Sequence, residues 1–338
     1  MRPELSVIVP VHDVEAYLEP CLASLERQQD AEPLEVVVVD DGSTDSSAQI
    51  AARWADAYES FRLVHQEHQG VSAARNRGVA AASGRYLAFC DADDVVPDDA
   101  YSALLDSLRT TGSDLASGDV RRLDSRGVRP HPRYRDVFAR RRQQTHITTD
   151  PALLLDRMPW NKVFRRDFWD RHELRFSLPL YEDAPVMIRA HLLATKVDVL
   201  TQVVYHWRIR ETGPRSVTQR LHEPANVAAR MTMAIETGRL IRGLAPELFG
   251  RFALDIIGGD VRVAVDAVAS NDDDAIRPAL DLAREFVAMA DDTVLGRLPA
   301  RDREIADLVA ALDLAGIRGT LGVGAPRPAG LTSISLAA

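Results

Sequence analysis

Two runs near the start of the chain, LSVIVPVHD at residues 5–13 and LEVVVVDDGSTD at 34–45, are apolar and β-branched until they end in carboxylates. Strands buried on both faces read as continuous runs of this kind, and in parallel α/β sheets the ligand crevice lies beyond their carboxyl ends. Between the two runs, Ala16, Leu18, Leu22 and Leu25 recur at mostly helical spacing over residues 14–28, which predicts one β-α-β unit. Ser43 or Thr44 can cap a second helix reaching about residue 58, and 61–65 reads as a short third strand. An alanine-rich helix over 71–82 precedes Gly84, after which GRYLAFCDADD (84–94) forms an apolar strand that runs straight into Asp91, Asp93 and Asp94. Pro97 stands near the start of a further helix through Leu108. This alternation predicts a mostly parallel sheet covered on both faces.

The pattern then changes. A strand-like stretch after Asp114 gives way to residues 126–142, polar and arginine-rich with two prolines. They predict a surface excursion that interrupts the sheet. Aromatic and apolar character returns at MPWNKVFRRDFW (158–169), and LYEDAPVMIRAHLLA (180–194) reads as a loop entering a helix. A strand over 197–207 closes the first domain. From 223 to 317 the chain is alanine- and leucine-rich, broken at Pro246, Asn271 to Asp274 and Pro299, as expected of helices alone. The expected organisation is a first domain at 1–218, a small all-helical region at 219–317 and a flexible tail at 318–338, poor in bulky groups.

With 338 residues and 46% hydrophobic content, a large α/β domain and a smaller unit can each bury a core. The net charge of −9 argues against general nucleic-acid binding, which needs a basic surface. Cys21 and Cys90 fall in a predicted helix and a predicted buried strand, so they read as small core residues of a reducing compartment and not as a zinc site. With no apolar leader and no run of ~18–20 apolar residues, the expectation is a cytoplasmic protein. Contact with the inner face of a membrane would need only an exposed basic surface. The stretch 121–142 offers one, with nine arginines against two acidic residues. A solvated loop and a docking patch for a polyanion explain that stretch equally well.

The four motifs LSVIVPVHD, LEVVVVDDGSTD, GVSAARNRG (70–78) and GRYLAFCDADD together resemble a family 2 glycosyltransferase with a GT-A type nucleotide-sugar domain. The resemblance covers about residues 4–215. Within the family it extends to bacterial enzymes that build cell-surface polymers such as teichoic acids and capsular polysaccharides. It implies a UDP-sugar donor, a manganese or magnesium ion and a cell-envelope acceptor. Pro10, Val11 and Asp13 would wall the nucleotide at the first strand tip, with Asp41 against the base and Asp40 behind it. His68, where relatives often carry asparagine, would sit beside them. Arg75 would donate to the nucleotide or its diphosphate, a geometry that suits a guanidinium. Asp91, Ala92 and Asp93 would meet ribose and metal, the ion being held by Asp93 and Asp91, while Asp94 caps or supports.

The resemblance also makes Glu182 and Asp183 the catalytic pair, with Asp183 as the base that takes the acceptor's proton in a single, inverting displacement. An acidic pair opening a helix is also what the helix dipole favours. His206 and Arg208 would reach the diphosphate, and Trp160, Asn161 and Lys162 would border the sugar cleft, although a buried tryptophan more often simply packs. Oligomerisation through the helical region is compatible with its apolar faces. Two other classes compete with this reading: a nucleotidyltransferase, which should carry a glycine-rich basic loop that PVHDVEAYLEP lacks, and a non-catalytic nucleotide-binding scaffold of a larger polymerase.

Overall fold

The computed structural model describes residues 3–28, 33–211 and 216–322. The chain divides into two compact units, Met1–Pro214 and Arg215–Ala338, a boundary slightly earlier than the expected 218.

The first unit is built on one mixed sheet. β1 (Leu5–Val11), β2 (Leu34–Asp41), β3 (Phe61–Gln66) and β4 (Tyr86–Phe89) are mutually parallel and stand in the order β3-β2-β1-β4. Their register pairs Leu5 with Leu34 and with Tyr86, so the C-terminal tips of β1, β2 and β4 open on the same edge. The intervening α1 (Glu15–Glu26), α2 (Ser47–Ala57) and α3 (Val71–Ala81) are the crossovers that parallel pairing demands. α3 lies very close to the sheet. A Cβ on Gly78 would come within 2.3 Å of Ile8 Cγ2, so only glycine permits this approach.

Past α4 (Ala100–Thr111) the sheet becomes mixed. β5 (Leu115–Asp124) turns back in a hairpin with β6 (Gly127–Pro130), and β7 (Arg142–Thr145) pairs at the far edge. The excursion expected at 126–142 therefore contains pairing strands, which its low apolar content concealed. β8 (Lys162–Arg165) inserts antiparallel between β4 and β5. α5 (Arg166–Arg171) follows, then α6 (Asp183–Leu193) and β9 (Val197–Arg208), which runs parallel to β5. A bridge between Val95 and His206 ties β9 to the loop after β4.

The second unit is helical. α7 (Pro224–Leu244) packs along α10 (Asp273–Ala288), with α8 (Phe249–Ile256), α9 (Arg262–Ala267), α11 (Asp292–Leu295), α12 (Ala300–Ala311) and α13 (Leu314–Leu321) around them. A π-helical turn, Ile257–Val261, joins α8 to α9. Val227, Met231, Ile241, Phe252, Ile256, Ile276 and Phe286 are wholly buried, giving this unit a core of its own. α13 carries helix to Leu321, beyond the expected end at 317; the rest of the expected tail, from 323, lies outside the described residues. Among the described residues no helix is long and apolar enough to cross a membrane.

Candidate active site

The tips of β1 and β2 form one wall of the crevice. Val11 is buried and pairs with Asp40, and Pro10 pairs with Val39. Asp13 adopts φ 47° just past the strand, and its Oδ1 accepts from Thr44 N–H at 2.7 Å and from Asp45 N–H at 3.3 Å. The Thr44 hydrogen bond is the main reason its carboxyl is held below the usual range. Asp13 thus fastens the DDGST turn to the end of β1.

Asp41 is buried. Burial opposes its charge, yet donors from Gln69 N–H (2.8 Å), Gln66 Nε2 (2.7 Å) and Gly70 N–H (2.8 Å) outweigh it and keep the carboxyl below its ordinary range. His68 Nδ1 stands 3.0 Å from Asp41 Oδ2. Gly42 makes this possible. At its φ of +71° a Cβ would sit 2.8 Å from the His68 nitrogen. Asp40, also buried, faces the other way and meets His65 Nδ1 at 3.1 Å.

The second wall is the turn after β4. Asp91 N–H donates to the Tyr205 hydroxyl at 3.0 Å, and Asp91 Oδ1 receives Arg75 Nη2 at 2.7 Å. Ala92 is buried. Asp93 Oδ2 receives Arg210 Nε at 2.7 Å, while its carbonyl oxygen accepts from Arg208 Nε at 2.6 Å. Burial raises the Asp93 carboxyl against the charge of Arg210. Asp94 Oδ1 accepts from Arg208 N–H at 2.6 Å, and its second oxygen is buried without a partner among the described residues. Burial, then Asp93 and Asp91, push this carboxyl well up. Asp94 thus supports the turn from behind.

Arg75 connects this wall to the start of α6. It is buried, lies over the Phe176 ring at 5.2 Å, and its second Nη pairs with Glu182 Oε1. Burial opposes the charge, but Asp91 and Glu182 keep the guanidinium firmly protonated. In this structure both ends of Arg75 are taken by carboxylates. Next to Glu182, Asp183 opens α6, partly buried, with Oδ1 accepting from Ala184 N–H at 2.8 Å. Burial, followed by the neighbouring charge of Glu182, pushes its carboxyl up to about 7.

His206 contributes its backbone, which bridges Val95 in both directions at 2.9 and 3.2 Å. Trp160 stacks on Tyr205 at 4.2 Å, and Lys162 is wholly buried with Nζ on Asp156 Oδ1 at 2.5 Å, Met158 O and Asn161 Oδ1. The WNK run is therefore internal packing beneath the site. Of the residues around the crevice, His12, Tyr205 and Arg210 are the ones the sequence reading missed. Arg210 was detectable as the second arginine of the RIR run, two residues past Arg208 at the end of β9. In the arginine-rich stretch, Arg121, Arg126, Arg129 and Arg142 are paired with Asp119, Asp124, Asp124 and Asp150. The patch is less positive than its count suggests.

Carboxylates at the tips of three parallel strands, with a fourth opening a helix across from them, define a GT-A type nucleotide-sugar domain. Residues 6–172 match the family model for Glycosyl transferase family 2, and through this domain the chain belongs to that family. It is 31% identical over 214 residues to the glycosyltransferase EpsH of Bacillus subtilis, covering 61% of each chain. It is 26% identical over 215 residues to the poly(ribitol-phosphate) beta-glucosyltransferase of Bacillus spizizenii, covering 62% of this chain and 33% of the relative. The chain thus spans less than two thirds of these curated relatives. Among solved structures, S. aureus TarS 1-349 in complex with UDP-GlcNAc superposes with a TM-score of 0.74 over 94% of this chain and 90% of that one, at 18% identity, a likeness of fold.

Proposed function

We propose that the chain is an inverting glycosyltransferase that moves a sugar from a UDP-sugar to a hydroxyl of a cell-envelope glycan or polyol-phosphate polymer. One observation carries this: the buried Arg75 links Asp91 at the β4 tip to Glu182 at the mouth of α6, joining the diphosphate side to the side that bears Asp183. Glu182 is buried and committed to Arg75, so Asp183 is the carboxylate available to accept a proton. A carboxyl at about 7 is poised between binding and releasing a proton near neutrality. One base and no second uncommitted carboxylate beside it favour a single displacement, and hence inversion.

In this reading Asp41, His68 and Asp13 hold the base, and Arg208 and Arg210 lie over the Tyr17 ring where they can turn toward a diphosphate. Asp91 and Asp93 fit a magnesium or manganese ion: two hard carboxylates one residue apart at the tip of β4, held in place by Arg75 and Arg210. When bound, such an ion supplies neutralisation of the leaving diphosphate. The relative that acts on poly(ribitol-phosphate) is the support for a polyol-phosphate acceptor. The test is a panel of nucleotide sugars, scored first for hydrolysis with and without divalent ions and then by product mass on envelope acceptors. Absence of turnover with every donor, alongside tight UDP binding, would make the chain a binding module.

A further inference from the structure

The tips of β1 and β2 bring two histidines and a carboxylate together. One ring nitrogen of His12, one of His68 and a carboxylate oxygen of Asp41 all lie within 4.8 Å of one another. The two imidazoles stack, with centroids 4.1 Å apart and planes 23° from parallel. Each presents Nδ1 to the same main-chain oxygen, that of Asp41, at 3.0 Å for His12 and 3.2 Å for His68, whose Nδ1 also lies 3.0 Å from Asp41 Oδ2. Donation of Nδ1–H to a carbonyl fixes the tautomer and leaves the Nε2 lone pair for another ligand, the usual outer support of a metal-binding histidine. Asp41 is oriented in turn by the N–H groups of Gln69 and Gly70. Asp13 Oδ2, 3.6 Å from His12 Nε2, adds a second carboxylate at the edge.

We propose that His12, Asp41 and His68 form a site for a divalent transition ion of borderline softness, with zinc as the representative. Two imidazoles and one carboxylate are the donor set that such ions prefer over magnesium or calcium, and three protein ligands leave positions for water. The site is chemically distinct from Asp91 and Asp93, whose oxygens suit harder ions. Its consequence rests on the function proposed above: Asp41 and His68 cannot ligate the ion and receive the base together, so the ion competes with the donor.

Two measurements on the full chain, stripped of metal, test this. In the first, Zn2+ is titrated calorimetrically in excess Mg2+ into wild type, His12→Phe, His68→Asn and the Asp91→Asn/Asp93→Asn double variant. The expected result is one Zn2+ per chain in wild type and in the double variant, weakened more than about tenfold in each histidine variant. Zn2+ binding that is indifferent to both histidine changes, or that disappears only with the aspartate pair, overturns the site. In the second, UDP affinity is measured with free Zn2+ at ten times its Kd. Mutually exclusive binding weakens wild-type UDP affinity by about tenfold and leaves the affinity of His68→Asn unmoved by Zn2+. Histidine-dependent Zn2+ binding with no effect on UDP would uphold the ion site, overturn the competition and remove the base from Asp41.

Discussion

Asp183 and its neighbour Glu182 carry the same functional group in different surroundings. Glu182 is neutralised by Arg75, whereas Asp183 is burdened by burial and by that same glutamate, which raises its carboxyl to about 7. A base works as the carboxylate, so activity is low where the group is protonated and rises with pH. We predict an acid limb in kcat/KM with its midpoint near 7, removed along with most turnover in Asp183→Asn. That variant keeps the shape of the side chain and loses only proton acceptance. Turnover should fall by roughly 10²- to 10⁴-fold while calorimetric UDP affinity stays constant. Loss of UDP affinity would move Asp183 to the donor side. Asp93→Ala, by contrast, should abolish Mn2+-dependent UDP binding, and equal UDP affinity in chelator and in Mn2+ for wild type would dismiss the ion from Asp91 and Asp93.

The helix α6 is held from below by a buried ionic cluster. Lys162 from β8 meets Asp156 at 2.5 Å, and His191, two turns along α6 from Asp183, approaches the other oxygen of Asp156 at 3.4 Å, all three wholly buried. Burial pushes Lys162 down, but its charge holds the buried Asp156 below the usual carboxylate range. Removing one partner of such a pair strands the other, a cost of about 3–5 kcal/mol. Lys162→Met is therefore predicted to destabilise the first unit by roughly that amount. Tryptophan fluorescence during denaturant unfolding reports it cleanly, since all four tryptophans, Trp54, Trp160, Trp169 and Trp207, lie in that unit. A midpoint unchanged from wild type would mean the cluster is neutral to stability.

All strand-tip contacts fall within the first unit, and the second has its own core. A fragment of residues 1–214 should accordingly bind UDP as the whole chain does; a large loss of affinity would implicate the helices in the donor site. The charge asymmetry of the molecule makes a further prediction. Arg142 is committed to Asp150 and to the Val137 and Arg140 carbonyl oxygens, whereas Arg140 and Arg141 are exposed. Replacing Arg140 and Arg141 by serine should raise the acceptor KM and leave donor hydrolysis unaltered, and wild-type transfer should weaken with salt as the Debye length shrinks to about 8–10 Å. Identical acceptor kinetics in variant and wild type would return the stretch to plain surface.

The sequence by itself determined the parallel half of the first unit, because each buried strand and crossover helix there is written in a contiguous run of residues, with its period visible locally. It likewise singled out Asp41, Asp91 and Asp93 as candidates, since carboxylates ending an apolar run are conspicuous, while Asp183 was a candidate through the family resemblance alone. Only the tertiary structure decided what those carboxylates touch. Arg75 reaches Glu182 across 107 residues of chain and Asp93 meets Arg210 across 117, separations that no local pattern encodes. The antiparallel insertion of β8 between β4 and β5 was hidden for the same reason, and so was the turning inward of the WNK run. His12 went unnoticed as well: one imidazole after a strand is ordinary, and it acquires meaning only when the β1 and β2 tips bring it onto His68 and Asp41.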